Sequence, residues 1–428
     1  MGAEELISKA LAIRDKSLAA VQPPLDFSRL PQPLPKNVIP LAKDLLTDEE
    51  LAITALDVPE LLSAIRLKKY TCLAVTKAFL RRATLAQELL NCITELLPER
   101  ALERAAYLDT LDAPVGPFHG LPISIKEHHG MVGCTNHASF VGRINNQQPG
   151  PCGVNDVLWA AGAVFYARTT QPQCIMHLET SSNIYGVTLN PYNLDLTPGG
   201  SSGGESALIS FRGSVLGMGG DIGGSIRSPA ANCGLYGIKP TPGRVSRAGG
   251  SAAVKGQDGI AGTHGPLSTT RSGIELFMET YLSYSPWIKD TSLVPLPWRP
   301  VTLPPKLKIA FMWSDDIVTP HPPITRALKE VYAALQRYPD RFELVDWEPR
   351  GHDTCWDITQ ALYFEDGGRS IRKEIADAGE TMMPLTEWLL TDGGNIKYRT
   401  VEEVWDVSDK LPLLLQLPRS STPLLISS

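Results

Sequence analysis

The 428-residue chain contains no run of 18 apolar residues, so a membrane-spanning helix is not expected. It also lacks a surplus of positive charge. Forty Lys and Arg stand against 46 Asp and Glu, a net charge of -6, which excludes the basic footprint of a nucleic-acid-binding domain. Seven cysteines are scattered, odd in number and never at CxxC spacing. They read as reduced, mostly buried thiols of a cytosolic protein rather than a disulfide framework. The eight histidines form no HxxxH pair and no Cys/His ligand set. His128 and His129 are adjacent, and adjacent side chains of a strand face opposite ways. No metal and no other cofactor is expected. No internal repeat is visible. The N-terminal MGAEELISKALAIRDK is amphipathic and mixed in charge, unlike the apolar core of a signal peptide. Leu6 stands where a myristoylation pattern has Ser or Thr. The expected location is cytoplasmic.

What the chain does have is 43% hydrophobic residues and enough length for a sizeable core, so a disordered chain is excluded. Residues 1–112 read as helical, with Thr47-Asp48-Glu49-Glu50 as a capping box. A stretch over about 83–110 continues the helical spacing through Leu85, Leu89, Ile93 and Leu96 and is broken at Pro98. From about 113 the pattern changes. Residues 120–126 read as a short strand ending at Lys126, then Asp156–Ala161 as a helix and Ala163–Ala167 as a buried strand. After a Pro-rich crossing at 286–305 comes strand Leu307–Met312, helix Thr325–Tyr338 and strand Phe342–Trp347. Strands alternating with helices indicate an α/β class. VEEVWDVSDK reads as a helix, and the Leu/Pro/Ser-rich stretch after it shows no clear element and no closing strand.

Glycine is concentrated. Residues 199–243 hold 13 of the 36 glycines and only five charged residues. That composition suits buried backbone in tight turns and close approaches, not a solvated linker. Within it, Thr197-Pro198-Gly199-Gly200-Ser201-Ser202-Gly203-Gly204-Glu205-Ser206 leaves two hydroxyls unshielded, although a flexible Gly/Ser loop would have the same composition. Gly219-Gly220-Asp221-Ile222-Gly223-Gly224-Ser225 sets unhindered amides just before a serine. Converging amides make an anion-binding nest, which a serine nucleophile needs for its oxyanion; a plain tight turn is the alternative. No GxxxxGK[ST] exists, and G-x-G-x-x-G fails at Ile222. Gly199–Gly203 also fits G-x-S-x-G, but residues 190–198 read as a loop where a nucleophile elbow needs a strand. Lys126 ends an apolar strand. A lone lysine is nearly always a solvated charge, but one desolvated in an apolar core becomes a neutral base.

Taken together, these segments resemble the amidase signature family. The residues that carry the resemblance are Gly120-Leu121-Pro122 with Lys126, Pro198–Glu205, Asp221–Arg227 and Gly234–Thr241. Pro320–Ile324 and Val345-Asp346-Trp347 are similar to its fungal acetamidase branch. The resemblance implies a mixed, largely parallel central sheet with helices on both faces, in a single α/β domain over about 45–400. The catalytic core would span about 115–270, a helical extension 1–44, and an atypical tail 401–428. It also implies hydrolysis of a non-peptide carboxamide to carboxylate and ammonia or amine. Lys126 matches the catalytic base, Ser201 the bridging serine after a cis peptide, and Ser225 the acylated nucleophile. Ile222, Gly223, Gly224 and Ser225 match the oxyanion-hole amides, and Ile175 lies near the acyl site. Asp221 and Arg227 match positions bracing the Gly-rich loop, where a structural ion pair explains them equally well.

The chain departs from the family in two ways. Glu127 stands where Asp is usual, and His128-His129 where small or apolar residues are usual. The pattern also fades after about residue 368, so a shortened C-terminal part is expected. Two other readings stay open: a catalytically impaired relative, and a subunit of a tRNA-dependent amidotransferase. The expected partner is a small-molecule amide, with no nucleic acid; a homodimer is compatible.

Overall fold

The computed structural model describes residues 2–147, 150, 152–391, 395–410 and 424–427. Where the resemblance implies a single domain over about 45–400, the contacts divide the chain into two compact units. The first contains Met1–Trp298 and Ser370–Leu389, the second Arg299–Arg369 and Leu390–Ser428.

The first unit is built on a six-stranded sheet. Its strands are β1 (Ile93–Leu96), β2 (Pro122–Lys126), β3 (Val164–Thr169), β6 (Leu216–Asp221), β7 (Tyr236–Gly237) and β8 (Thr263–Ser268). The short β4 (Ser181–Ser182) and β5 (Gly186–Val187) pair only with each other. The order across the sheet is β1-β3-β2-β6-β8-β7. β3, β2 and β6 run parallel through the middle, while β1, β8 and β7 pair antiparallel at the sides. Every residue of β2, β3 and β6 is buried, as expected of strands covered on both faces. Helices Cys72–Leu90, Pro98–Asp109, Gly203–Ser210 and Arg271–Ser283 pack around it. The expected α/β class and mixed sheet are therefore present.

The N-terminal third is less uniformly helical than its spacing suggests. Helix Cys72–Leu90 stops at Asn91, whose left-handed φ of 52° ends the helix. Ile93 and Leu96 then belong to β1, not to a longer helix. Their apolar spacing fits a short buried strand as well as a helix, and length alone could not arbitrate. Pro98 opens the next helix at its first position, where a missing N–H costs nothing, instead of breaking one. The capping box forms as read: Thr47 Oγ1 accepts from the Glu50 amide at 3.2 Å, and the Glu50 carboxylate from the Thr47 amide at 2.8 Å.

The second unit holds a parallel three-stranded sheet of β9 (Leu307–Met312), β10 (Phe342–Asp346) and β11 (Leu424–Ser427), in the order β10-β9-β11. Helix Pro322–Gln336 joins β9 to β10, and Tyr332 sets its ring edge-on to Phe311 at 4.9 Å. Val401–Ser408 is helical, as read. β11 corrects the expectation of a tail without any strand; residues 411–423 and 428 lie outside the described residues.

Glycine explains how close β6 comes to its neighbours. A Cβ on Gly217 would lie 1.9 Å from the Glu205 carboxylate and 2.7 Å from Ser124 Oγ. Only a bare backbone fits between helix Gly203–Ser210 and β2. We expect Gly217→Ala to lose about 1–3 kcal/mol in denaturant unfolding. Gly2→Ala, at an exposed N-cap with nothing within 4 Å, should shift the midpoint far less. An unshifted midpoint in Gly217→Ala would contradict this packing.

Candidate active site

The strand β2 delivers Lys126 from its last residue into the interior of the first unit. Only 1% of the side chain's surface is exposed. Its Nζ lies 2.6 Å from Ser201 Oγ and 3.2 Å from Ser202 Oγ. Ser201 and Ser202 sit in the turn that opens helix Gly203–Ser210, and the Gly200–Ser201 peptide is cis, as the resemblance implied. The Ser202 amide donates to the Ser225 carbonyl at 3.0 Å, which ties this turn to the loop after β6. Ser225 is buried and lines the same cavity as Lys126 and Ser201. That cavity has a volume of about 120 Å³. Ile175, Asp221 and Ile222 line it too, so residues read from four separate segments converge. Among the described residues no hydrogen bond joins the Ser201 and Ser225 hydroxyls.

Burial lowers the pKa of Lys126 to about 7, against the opposing pull of Asp221, Glu205 and Glu127. An ordinary lysine is only about 0.03% neutral at pH 7, whereas one titrating near 7 is about half neutral. Glu205 sits beneath the site and is also fully buried. Burial raises its carboxyl to about 7, opposed by the Ser124 and Thr169 hydroxyls and by Lys126. Those hydroxyls donate to it at 2.6 and 2.7 Å.

The loop after β6 is shaped by Asp221. Its buried carboxylate accepts from the amides of Gly224 at 2.8 Å, Ile226 at 3.1 Å and Arg227 at 3.3 Å. Arg227 adds two guanidinium bonds of 3.0 Å. Burial alone would raise the Asp221 pKa, but Arg227 and the amides hold it below its usual value. This corrects one expectation. The Gly224 N–H points at Asp221, so it is not open to an oxyanion. The amides of Ile222, Gly223 and Ser225 donate to no acceptor among the described residues.

Several contributors were not visible in the sequence. Ser202 is a second partner of Lys126, and its place in the Ser-Ser pair was the available signal. Glu127 accepts from the amides of His137 at 2.7 Å and Ala138 at 3.0 Å, and from Gln171, so it anchors the loop after β2. Cys174 and Ile175 both take left-handed φ, 49° and 52°, a conformation that β-branched residues rarely adopt. Gln173 beside them donates to Glu380 at 2.6 Å and accepts from the Met383 amide at 2.8 Å. The stretch 370–389, beyond the readable motifs, thus holds the wall that carries Ile175. His128 and His264 also line the cavity, and His129 adjoins both rings. The sequence suggested no ligand set because strand alternation would separate His128 from His129. The strand ends at Lys126, and the His129 amide turns back to the Lys126 carbonyl at 3.0 Å, so the alternation does not apply.

The Amidase family model matches residues 74–405. The chain is 44% identical over 411 residues to a Schizosaccharomyces pombe protein named as an amidase, C550.07, covering 94% of this chain and 76% of that one. It is 37% identical over 379 residues to the acetamidase of Emericella nidulans, covering 86% and 68%. Among solved structures, a fatty acid amide hydrolase superposes with a TM-score of 0.88 at 33% identity, over 96% of this chain and 75% of that one.

The Asp221 network generates a stability prediction. Asp221→Ala leaves three amides and a guanidinium without their acceptor. It should lose about 3 kcal/mol in denaturant unfolding. A loss under about 0.5 kcal/mol would show that the loop does not depend on this carboxylate.

Proposed function

The chain belongs to the amidase signature family and is a hydrolase of amides; on that premise we propose that it cleaves a linear, non-peptide carboxamide through a Ser-Ser-Lys relay. The observation that carries the relay is the 2.6 Å contact between a buried lysine amine and the Ser201 hydroxyl. A serine hydroxyl is a weak nucleophile unless a base takes its proton. Lys126 is a base suited to pH 7, because burial favours its neutral form.

Neutral Lys126 accepts the Ser201 proton, and Ser201 accepts the Ser225 proton. Ser225 Oγ then bonds to the amide carbon, and the carbonyl oxygen takes up the negative charge. In this reading the amides of Ile222, Gly223 and Ser225, which have no acceptor among the described residues, donate to it. The C–N bond breaks as Ser201 passes a proton to the leaving nitrogen, and Lys126 returns one to Ser201. Water attacks the acyl-Ser225 ester by the same relay. The carboxylic acid leaves and Ser225 regains its proton. Ile175 forms part of the wall that the acyl group meets. Asp221 and Arg227 position the loop and touch no reacting atom. The small cavity and the acetamidase relatives support a short acyl group.

Two outcomes follow. Ser225→Ala, Ser201→Ala and Lys126→Ala should each reduce kcat by about 10³-fold or more on a short carboxamide such as acetamide. Retained amidase activity in Ser225→Ala, with loss in Ser201→Ala, would make Ser201 the nucleophile instead. The second concerns pH. The base form of Lys126 accumulates as pH rises. In chelator-treated enzyme, so that no ion occupies the neighbouring histidines, kcat/KM should climb about tenfold per pH unit below 7 and level off above. A limb that keeps rising to about 10 would mean an unperturbed lysine.

A further inference from the structure

Three histidines that the relay does not use meet beside it. His128 and His129 follow directly on β2, and His264 lies in β8 opposite Gly220 of β6. Their ring centroids are 4.4 Å apart for His128 and His129, 5.3 Å for His128 and His264, and 4.0 Å for His129 and His264. Each offers a ring nitrogen within 4.8 Å of those of the other two. All three are buried, with 5%, 0% and 5% of their surface exposed. Gly220 makes room for the cluster, since a Cβ there would lie 2.5 Å from His128 Nε2.

A core histidine ordinarily satisfies both ring nitrogens. These do not. His129 Nε2 lies 3.2 Å from the Gly219 carbonyl, which can only accept, so the ring proton sits on Nε2. Its Nδ1 is the lone-pair nitrogen, and it is buried without a partner. His264 Nδ1 lies 3.0 Å from the Ser246 carbonyl, which makes Nε2 its lone-pair nitrogen. His128 Nδ1 is also buried without a partner. An imidazole oriented by a carbonyl at one nitrogen and open at the other is the arrangement that holds metal-bound histidines. Burial lowers all three pKa values, His264 to about 3 and the other two well below the ordinary value. The neutral ring is the ligating form. Three imidazoles without a carboxylate suit zinc and its transition-metal neighbours, whereas calcium and magnesium require oxygen donors.

We propose that His128, His129 and His264 form a three-imidazole site for a divalent transition metal of the zinc class, at the wall of the catalytic cavity. His128 and His264 both line that cavity, so a fourth ligand position is open to water. The ion takes no part in the serine relay.

The test is a titration of the full-length, chelator-stripped protein with Zn²⁺ against a chromophoric chelator. We expect one equivalent to bind. His128→Gln and His264→Gln should each weaken binding by about 100-fold or more, while their thermal melts stay cooperative. X-ray absorption at the zinc edge of the loaded wild-type protein decides the matter even where a variant fails to fold. It should show three imidazole nitrogens at about 2.0–2.1 Å. Failure to bind one equivalent would overturn the proposal. So would sulfur at about 2.3 Å, which would place the ion on a thiol such as the exposed Cys355.

Discussion

A lysine amine buried against two serine hydroxyls is the constraint on which the rest of the site depends. Among the described residues Lys126 forms no ion pair, so its charged form is not directly compensated where it sits. Moving an unpaired ammonium out of water is costly, and the group responds by shedding its proton. The surrounding fold makes this burial possible. β2 runs in the middle of the sheet, covered on both faces, and releases Lys126 at its end. Glu205 and Asp221 oppose the effect from a distance, which brings the amine to about 7 and no lower. A more exposed lysine would hold its proton, and one with a direct carboxylate partner would hold it more firmly.

The glycine-rich block serves that constraint. Ser201 and Ser202 must approach Lys126 while the loop after β6 approaches them. The Ser202–Ser225 backbone bond records how near these segments lie. Side chains at Gly217 or Gly220 would occupy the space that Glu205, Ser124 and His128 take. Asp221 adds rigidity: it gathers the amides of Gly224, Ile226 and Arg227, while those of Ile222, Gly223 and Ser225 have no acceptor among the described residues. The loop therefore has two kinds of N–H, those bonded to Asp221 and those without an acceptor among the described residues.

Much of this was legible in the sequence because it is written in contiguous residues. The end of β2 at Lys126 and strand β9 at Leu307–Met312 both follow local patterning. Lys126, Ser201 and Ser225, which share a cavity, were joined in one site by the resemblance that their motifs carry. What was not legible depends on partners far apart in the chain. Ile93 and Leu96 read as helix because they continue the spacing of Leu85 and Leu89, and a four-residue strand is too short to show a period of its own. The Gly224 amide read as open because its bond to Asp221 is a matter of loop conformation, not of residue type. The Gln173–Glu380 contact joins residues more than 200 positions apart, and no motif announces it. The histidines were separated by applying strand alternation beyond Lys126, where the strand ends two residues before His128.

The central claim is that Ser225 is the group acylated and that Lys126, through Ser201, makes it reactive. Peptide mapping by mass spectrometry after treatment with a fluorophosphonate tests it most directly. The account predicts a single adduct on Ser225 in the wild-type chain, with labelling lost in Lys126→Ala. An adduct on Ser201, or labelling of Ser225 that persists at the wild-type rate without Lys126, would contradict it.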